Sequence, residues 1–332
     1  MKRKKMKMNN PWDEINPPSK DVSARRIDHT HSLDLFWARD HFGRYLFVYE
    51  FSSEAESISN INLPDLVGIQ TAYIPANGSI NSNRLVLLLN EQSNWELFLS
   101  LCNDLVQATR QSKTSASAVQ TILRRLTRWH EFLRKNRSEL LTEEKIKGLI
   151  GELLFIRNYL IPTFGSGRAI QFWQGTEGLP QDFNINNSAI EVKCQSGATS
   201  PYVRISSAEQ LCPQLPEMYL FVITLGKSTP ETENAINLPG LISNIRDILQ
   251  SDTSSHIERF NDLLHMIGYI DSDSYLDFTY ILAGEKMFQV TEGFPRICNH
   301  DIHHGIVKLS YDISLSECEP FKNRPDWMVK IS

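Results

Sequence analysis

Two acidic residues and a lysine near the middle of the chain have the types and the spacing that would let them hold a metal ion. Segment 180–193 predicts two short strands joined by a two-residue turn of asparagines. In the resulting register Asp182 faces Glu191, so both project together with Lys193 from one face of the sheet. The other face carries apolar side chains that can anchor a core, namely Phe183, Ile190 and Val192.

Such a face has the chemistry needed to bind a divalent cation. Two like charges opposed across a strand pair destabilise it unless a cation lies between them. Carboxylate oxygens are hard ligands suited to magnesium, which lowers the pKa of a water that it binds. Lys193 beside the ion would orient that water or stabilise charge developing on a phosphate. The alternative is a surface salt-bridge cluster, although Lys193 could neutralise only part of the acidic charge.

The motif Pro180-x-Asp182 followed by Glu191-x-Lys193 resembles the signature of the PD-(D/E)XK nucleases, which share the fold of the restriction endonucleases. The separation of the two acids is short for that superfamily, and a tight hairpin accounts for it. The resemblance implies an α/β (α+β overall) fold, with an αβββαβ core like that of the restriction endonucleases.

Two more residues extend the resemblance on either side of the hairpin. Glu152 lies on a predicted helix, at the position of the acidic residue that many of these nucleases carry before the core sheet. Gln210 follows a predicted strand, where such nucleases often place a glutamine that faces the site. Each has a plainer interpretation, because Glu152 could be an exposed helix acid and Ser207-x-x-Gln210 is a capping box.

By this resemblance we expect the chain to be a cytoplasmic, magnesium-dependent endonuclease that would hydrolyse DNA phosphodiester bonds in restriction or phage defence. Asp182 and Glu191 would hold Mg²⁺, with Mn²⁺ as a substitute and Glu152 as a further ligand. Lys193 would position the attacking water, supported by Gln210. The partners would be DNA, a second copy of the chain or other subunits of a defence system, and no membrane. The alternative is a nuclease-fold module without activity that binds DNA or a partner subunit.

Composition bounds these expectations without deciding between them. A chain of 332 residues indicates about two domains. Its 34 Lys and Arg stand against 39 Asp and Glu, so the total charge gives no support for nucleic-acid binding. The distribution does, since ten basic and four acidic residues lie between Arg110 and Lys147, an excess that could follow a phosphate backbone. A solvated helix face is the alternative interpretation.

Five widely spaced cysteines without a CxxC pair predict reduced thiols. The cluster from Cys298 to His304 lacks a second Cys or His pair at the spacing typical of zinc sites, and we expect a polar loop there. The basic N-terminus leads into no apolar run, and no window approaches the length of a membrane span.

Turn signals and periodicity give the expected organisation. Residues 1–30 are predicted to be a flexible lead-in, 31–112 an antiparallel sheet plus helix, 113–228 a helical connector and the nuclease core, and 229–332 a C-terminal α/β extension. The predicted helices are 95–106, 117–135, 143–160, 238–249 and 256–267. The predicted strands are 34–38, 45–51, 66–74, 85–89, the two strands of the hairpin in 180–193, 218–225, 275–282, 286–290 and 306–310. Segment 203–211 is predicted to be a strand followed by a helix.

Overall fold

The computed structural model describes residues 8–52, 62–77, 81–135, 140–197, 201–250 and 254–329. The chain divides into two compact units, one comprising Met1–Leu140 with Ile270–Ser272 and the other Leu141–Tyr269 with Asp273–Ser332. The predicted boundaries at 112/113 and 228/229 are therefore wrong. The helix expected to connect to the nuclease core belongs to the first unit, and the expected C-terminal extension belongs to the second.

The first unit is an antiparallel sheet covered on one face by two helices. Its strand order is β1-β2-β3-β5-β4, which confirms the predicted antiparallel sheet and adds an unpredicted first strand. Aromatic and aliphatic side chains of the sheet and of both helices form one core. The elements are β1 (Val22–Arg26), β2 (Asp34–Asp40), β3 (Tyr45–Ser52), β4 (Ile69–Ile74), β5 (Ser82–Leu89), α1 (Trp95–Thr109) and α2 (Ser115–Lys135).

The predicted flexible lead-in is wrong for residues 8–30. Trp12 is fully buried in the first unit, and its indole Nε1–H donates to the Leu46 carbonyl oxygen at 2.8 Å. Strand β1 pairs with β2 along its whole length. Prolines in this stretch interrupt the periodic pattern from which helices and strands are predicted. Burial of the large Trp12 ring anchors the segment. Residues 1–7 lie outside the described residues.

One arginine of the basic stretch between Arg110 and Lys147 is buried and does not face solvent. Arg125 is buried against α1, where its Nη1 lies 3.5 Å from Asp104 Oδ1. Trp129 donates to the other oxygen of the same carboxylate at 3.0 Å. The prediction that Arg125 belongs to a solvent-facing basic surface is therefore wrong, because its charge stabilises the helix pair.

The second unit is built on a central sheet of order β10-β11-β9-β7-β6, in which β7 runs parallel to β9 and the other pairs are antiparallel. Helices cover one face, and a two-stranded sheet of β8 and β12 lies over the other. The elements are α3 (Glu143–Phe155), α4 (Ile161–Phe164), α5 (Ser166–Gln171), β6 (Phe183–Ile185), β7 (Ser188–Ser196), β8 (Tyr202–Ile205), β9 (Glu217–Lys227), β10 (Ile236–Asn237), α6 (Leu238–Gln250), α7 (Ser254–Ile267), β11 (Thr279–Gln289), β12 (Tyr311–Ser314), α8 (Leu315–Cys318) and α9 (Asp326–Val329).

The fold is mixed α/β as expected, but it differs from the expected αβββαβ core in two ways. Strand β8 leaves the central sheet to pair with β12. The helix expected after β8 is a single 3-10 turn, Ala208–Leu211.

Three further predictions along the second unit are corrected. The long third helix does not stop before Pro162, because a π-helical turn (Ile156–Leu160) leads into α4 with proline in its first turn. The two strands expected at 275–282 and 286–290 are one strand, β11, with a bulge between Leu282 and Gly284. No strand forms at 306–310, and the partner of β8 begins at Tyr311.

Cys212 and Cys298 form a disulfide with a Cα–Cα distance of 5.8 Å, which corrects the prediction that all five cysteines are reduced. The other three cysteines are free thiols. In the part of the chain that the structure describes, no helix combines the length and the apolar character needed to cross a membrane.

Candidate active site

The hairpin forms in the predicted register. Phe183 pairs with Ile190, and Ile185 pairs with Ser188 across the turn. Asn186 supplies the left-handed backbone of that turn, with φ of 53°. Asp182 stands directly before β6 and extends the pairing with its side chain, since its Oδ2 accepts a hydrogen bond from the Val192 N–H at 2.8 Å.

The loop before β6 fixes the position of Asp182, and sequence reasoning missed this role. The N–H groups of Gln174 and Gly175 donate to the Asp182 carbonyl oxygen at 2.9 and 3.0 Å. A Cβ on Gly175 would lie 2.8 Å from Asp182 Oδ1 and 2.9 Å from its Cα. Only glycine allows so close an approach, and a glycine in a loop that leads into the first acid was the available signal.

Glu191 and Lys193 form a buried ion pair on the face of β7 that looks toward β8. Lys193 Nζ lies 2.7 Å from Glu191 Oε1, and Glu191 is 1% exposed. Burial raises the pKa of Glu191 well above its usual range, the charge of Asp182 adds to this, and Lys193 opposes it. The second oxygen, Oε2, is buried and has no hydrogen-bond partner among the described residues. An unpaired oxygen in that position costs free energy unless a ligand satisfies it.

Lys193 remains a cation in this setting. Burial lowers its pKa, but the attraction of Glu191, Asp182 and Glu152 outweighs burial, so that the pKa is raised overall. One ammonium therefore faces three carboxyl groups.

Glu152 reaches the site from α3 because the helix lies close to the sheet. A Cβ on Gly151 would lie 2.3 Å from Cys194 Sγ, so this glycine permits the close contact, whereas Gly148 has open space around it. The Trp173 indole N–H donates to Glu152 Oε2 at 2.6 Å and orients the carboxyl group. Burial, followed by the charge of Asp182, raises the pKa of Glu152 to about 8.

The pKa of Asp182 rises less, to about 6, because burial is opposed by the Val192 hydrogen bond and by Lys193. Glu152 and Asp182 thus differ in protonation near neutral pH, and the cluster holds protons that a cation could displace.

Gln210 lies at this site, and the predicted capping box does not form. Its Oε1 accepts from Lys193 Nζ at 3.2 Å and from the Ser206 N–H at 2.7 Å, while the side chain of Ser207 caps no N–H of the turn. Gln181, next to Asp182, donates from Nε2 to the Glu209 carbonyl oxygen at 2.5 Å. The 3-10 turn that carries Gln210 is therefore tied to both strands of the hairpin.

The carboxylate oxygens of the site are suitable ligands for a divalent cation, but they do not all converge on one point. Among the described residues, one set of three ligand-type side chains has donor atoms all within 4.8 Å of one another, and it is Cys298, His300 and Asp301. Its cysteine is in the disulfide, so no thiolate is present there. The three carboxyl groups of Glu152, Asp182 and Glu191 do not converge that closely. One ion could therefore not contact all three carboxyl groups as they stand, and at least one of them would reach it through a water.

Comparison with known proteins agrees with the site. A search of curated proteins and a search of solved structures found no match. A family model described as "Putative PD-(D/E)XK family member, (DUF4420)" matches residues 8–316, which include all five site residues. The chain therefore belongs to the PD-(D/E)XK family, whose members are usually nucleases that use divalent metal ions.

Proposed function

We propose that the chain is a nuclease that hydrolyses phosphodiester bonds in DNA with a divalent metal ion, Mg²⁺ or Mn²⁺, held by Asp182 and Glu191. The observation that carries this proposal is the buried Glu191 carboxyl, which has one oxygen paired with Lys193 and the other without a partner in the described part of the chain. A cation beside that oxygen would satisfy it and would neutralise the opposed acids.

Each site residue has a separate role in this proposal. The ion would lower the pKa of a water and polarise the phosphate that it contacts. Lys193, held between Glu191 and Gln210, presents its ammonium to the charge that develops on phosphorus. Gln210 is a positioning residue, since its oxygen fixes the Lys193 side chain. Glu152, with a pKa of about 8, can exchange a proton near neutral pH.

Plasmid DNA provides the direct test. The native protein should nick or cut it with Mg²⁺ or Mn²⁺ and not in EDTA, and Lys193→Ala and Asp182→Asn should each lower the rate by at least about 100-fold. Lys227→Ala is a matched control, because the Lys227 ammonium is exposed and pairs with Glu143 away from the site. Cutting that persists in both site variants would remove these residues from the mechanism.

A second candidate is a nuclease-fold module that binds DNA or a partner subunit without cutting. The observation that favours it is that each acid already has a partner within the protein. Asp182 Oδ2 accepts from the Val192 N–H, and Glu191 Oε1 pairs with Lys193. DNA binding that is independent of metal, together with intact plasmid at every metal concentration, would select this candidate.

The proposal includes a role in restriction or phage defence, on the strength of the motif resemblance. Cleavage of both strands by a single site in each chain implies that two copies act together, or that another subunit of the defence system contributes. Mass measurement in solution, with and without a DNA duplex, tests this part. A monomer that cuts both strands at full rate would contradict it.

A further inference from the structure

A groove lies beside the proposed active site in the second unit. Its volume is about 320 Å³, and two segments form its walls, 206–209 on one side and 299–309 on the other. This size is at the lower end of the range for small-molecule sites and suits a group the size of a nucleotide or less.

The two walls are held together before any ligand arrives. The Cys212–Cys298 disulfide joins the chain just after the first wall to the chain just before the second. Asn299 Nδ2 also donates to Glu209 Oε1 at 3.0 Å. A preformed groove loses little conformational entropy when it binds a ligand, which favours affinity.

The groove begins close to Lys193. Gln210 Oε1 accepts both from Lys193 Nζ, at 3.2 Å, and from the N–H of Ser206, which lines the groove. Because the two hydrogen bonds share one oxygen, the ammonium is at most about 6 Å from the Ser206 nitrogen. Stacked nucleotides rise about 3.4 Å each, so the near edge of the groove, at Ser206, is one or two nucleotides from a phosphate at Lys193.

The lining suits a base better than a phosphate. Its ionisable groups other than histidine are Lys308 and Glu209, which offset each other, whereas phosphate-binding surfaces carry an excess of Lys and Arg. The rings of His303 and His304 stack on each other with centroids 4.2 Å apart and 27° between their planes. The Gly305 N–H donates to His303 Nδ1 at 3.1 Å, which fixes that ring and leaves Nε2 to carry the proton of the neutral form. Both histidines are exposed, so the pair offers a π face to solvent.

We infer that this groove binds an unpaired base of the DNA substrate, one or two nucleotides from the scissile phosphate, by stacking on the His303–His304 pair. The inference rests on the proposed nuclease function and specifies how its substrate is held. A base can stack in the groove only if it is not already paired within a duplex, so the site selects ends, overhangs or single strands.

Binding of a short fluorescein-labelled DNA oligonucleotide, followed by anisotropy with Ca²⁺ in place of Mg²⁺, tests the inference. The double variant His303→Ala/His304→Ala should raise Kd for single-stranded and overhang-bearing DNA by about 5- to 150-fold, the range for one base stacked on aromatic rings. Its effect on blunt duplex should be below about twofold, since no base is free there to stack. The matched control is His300→Ala, which removes an exposed histidine of the same segment that does not line the groove.

A second measurement does not depend on variants. Photocrosslinking of a 5-iodouracil oligonucleotide should map to the peptide that contains 302–309. An unchanged Kd in the double variant, an equal loss on blunt duplex, crosslinks confined to other segments, or a native protein that binds no DNA would each overturn the groove assignment.

Failure of this inference can be told apart from failure of the nuclease proposal. If Lys193→Ala abolishes metal-dependent cleavage while the double histidine variant binds DNA normally, the nuclease proposal stands and the groove assignment falls. If no cleavage occurs with any metal but the double variant loses affinity for unpaired DNA, the groove stands and the nuclease proposal falls.

Discussion

The protons held by the acidic cluster lead to a prediction that requires no catalytic assay. Glu152, Asp182 and Glu191 share one cation, Lys193, in a buried setting. A divalent ion that binds there must displace whatever protons the carboxyl groups hold. Metal binding should therefore release protons and should strengthen as the pH rises.

The magnitude follows from the pKa values. With a pKa of about 8, Glu152 carries roughly 0.9 proton at pH 7, and Asp182, with a pKa of about 6, carries roughly 0.1. We therefore expect at least about one proton released for each ion bound at pH 7, and only about 0.1 from Glu152 at pH 9. Metal affinity should rise about tenfold per pH unit between pH 6 and 8 and level off above.

The same shift predicts how the metal-free protein responds to pH. The pKa of Glu152 is raised, so between its ordinary value of 4.5 and about 8 the folded chain holds a proton that the unfolded chain has lost. The free energy of unfolding must then fall as the pH rises through that window, by an upper bound of roughly 5 kcal/mol. Bound metal should remove most of this loss because it stabilises the ionised carboxyl groups.

Isothermal titration of Mg²⁺ or Mn²⁺ in two buffers of different ionisation enthalpy measures the released protons directly. Glu152→Gln should lower the release at pH 7 by about 0.9 proton, while Glu144→Gln, an exposed acid on the same helix, should leave it unchanged. Metal binding with no proton release, or release that is equal in Glu152→Gln and the native protein, would refute the assignment of that proton to Glu152.

Three further predictions concern the elements around the site. Gly175→Ala should push Asp182 out of place and lower the cleavage rate by about 100-fold, measured on plasmid DNA; Gly148→Ala, which has open space, should change it little, and equal rates would contradict the proposed contact. Gly151→Ala should lower the free energy of unfolding by about 1 to 3 kcal/mol in urea titrations, and adding Cys194→Ala should restore part of it; an absence of any rescue would mean that the sulfur is not the obstacle. Reduction of the disulfide, which closes a loop of 86 residues, should lower stability by about 2 to 4 kcal/mol and weaken DNA binding in the groove, and identical urea midpoints with and without dithiothreitol would contradict this.

The hairpin could be predicted in full because everything that defines it is local. The alternation of apolar and polar residues assigns each side chain to a face, and the asparagine turn fixes the register. Glu191 and Lys193 therefore lie side by side on one face of β7, as fourteen residues of sequence predict. The antiparallel sheet of the first unit was predictable for the same reason.

Contacts between distant segments could not be predicted in this way. Trp12 donates a hydrogen bond to the Leu46 carbonyl, and Cys212 forms a disulfide with Cys298 at a sequence separation of 86. The sequence around one residue of each pair does not identify the other residue, because periodicity shows only which face of an element is buried. The domain boundary was missed for a similar reason, because α2 packs with α1 in the core of the first unit.

The disposition of β8 shows how such a distant contact shapes the site. The sequence predicts β8 as a strand but cannot say that it pairs with β12, more than a hundred residues later, instead of β7. That pairing carries the turn with Gln210 to the side of Lys193 and places segment 206–209 opposite 299–309. A local hairpin thus supplies the charged groups, while a long-range strand pair supplies the residue that orients Lys193 and the wall of the groove. Substitutions in the hairpin should therefore affect the chemical step, and substitutions around β12 should affect substrate binding first.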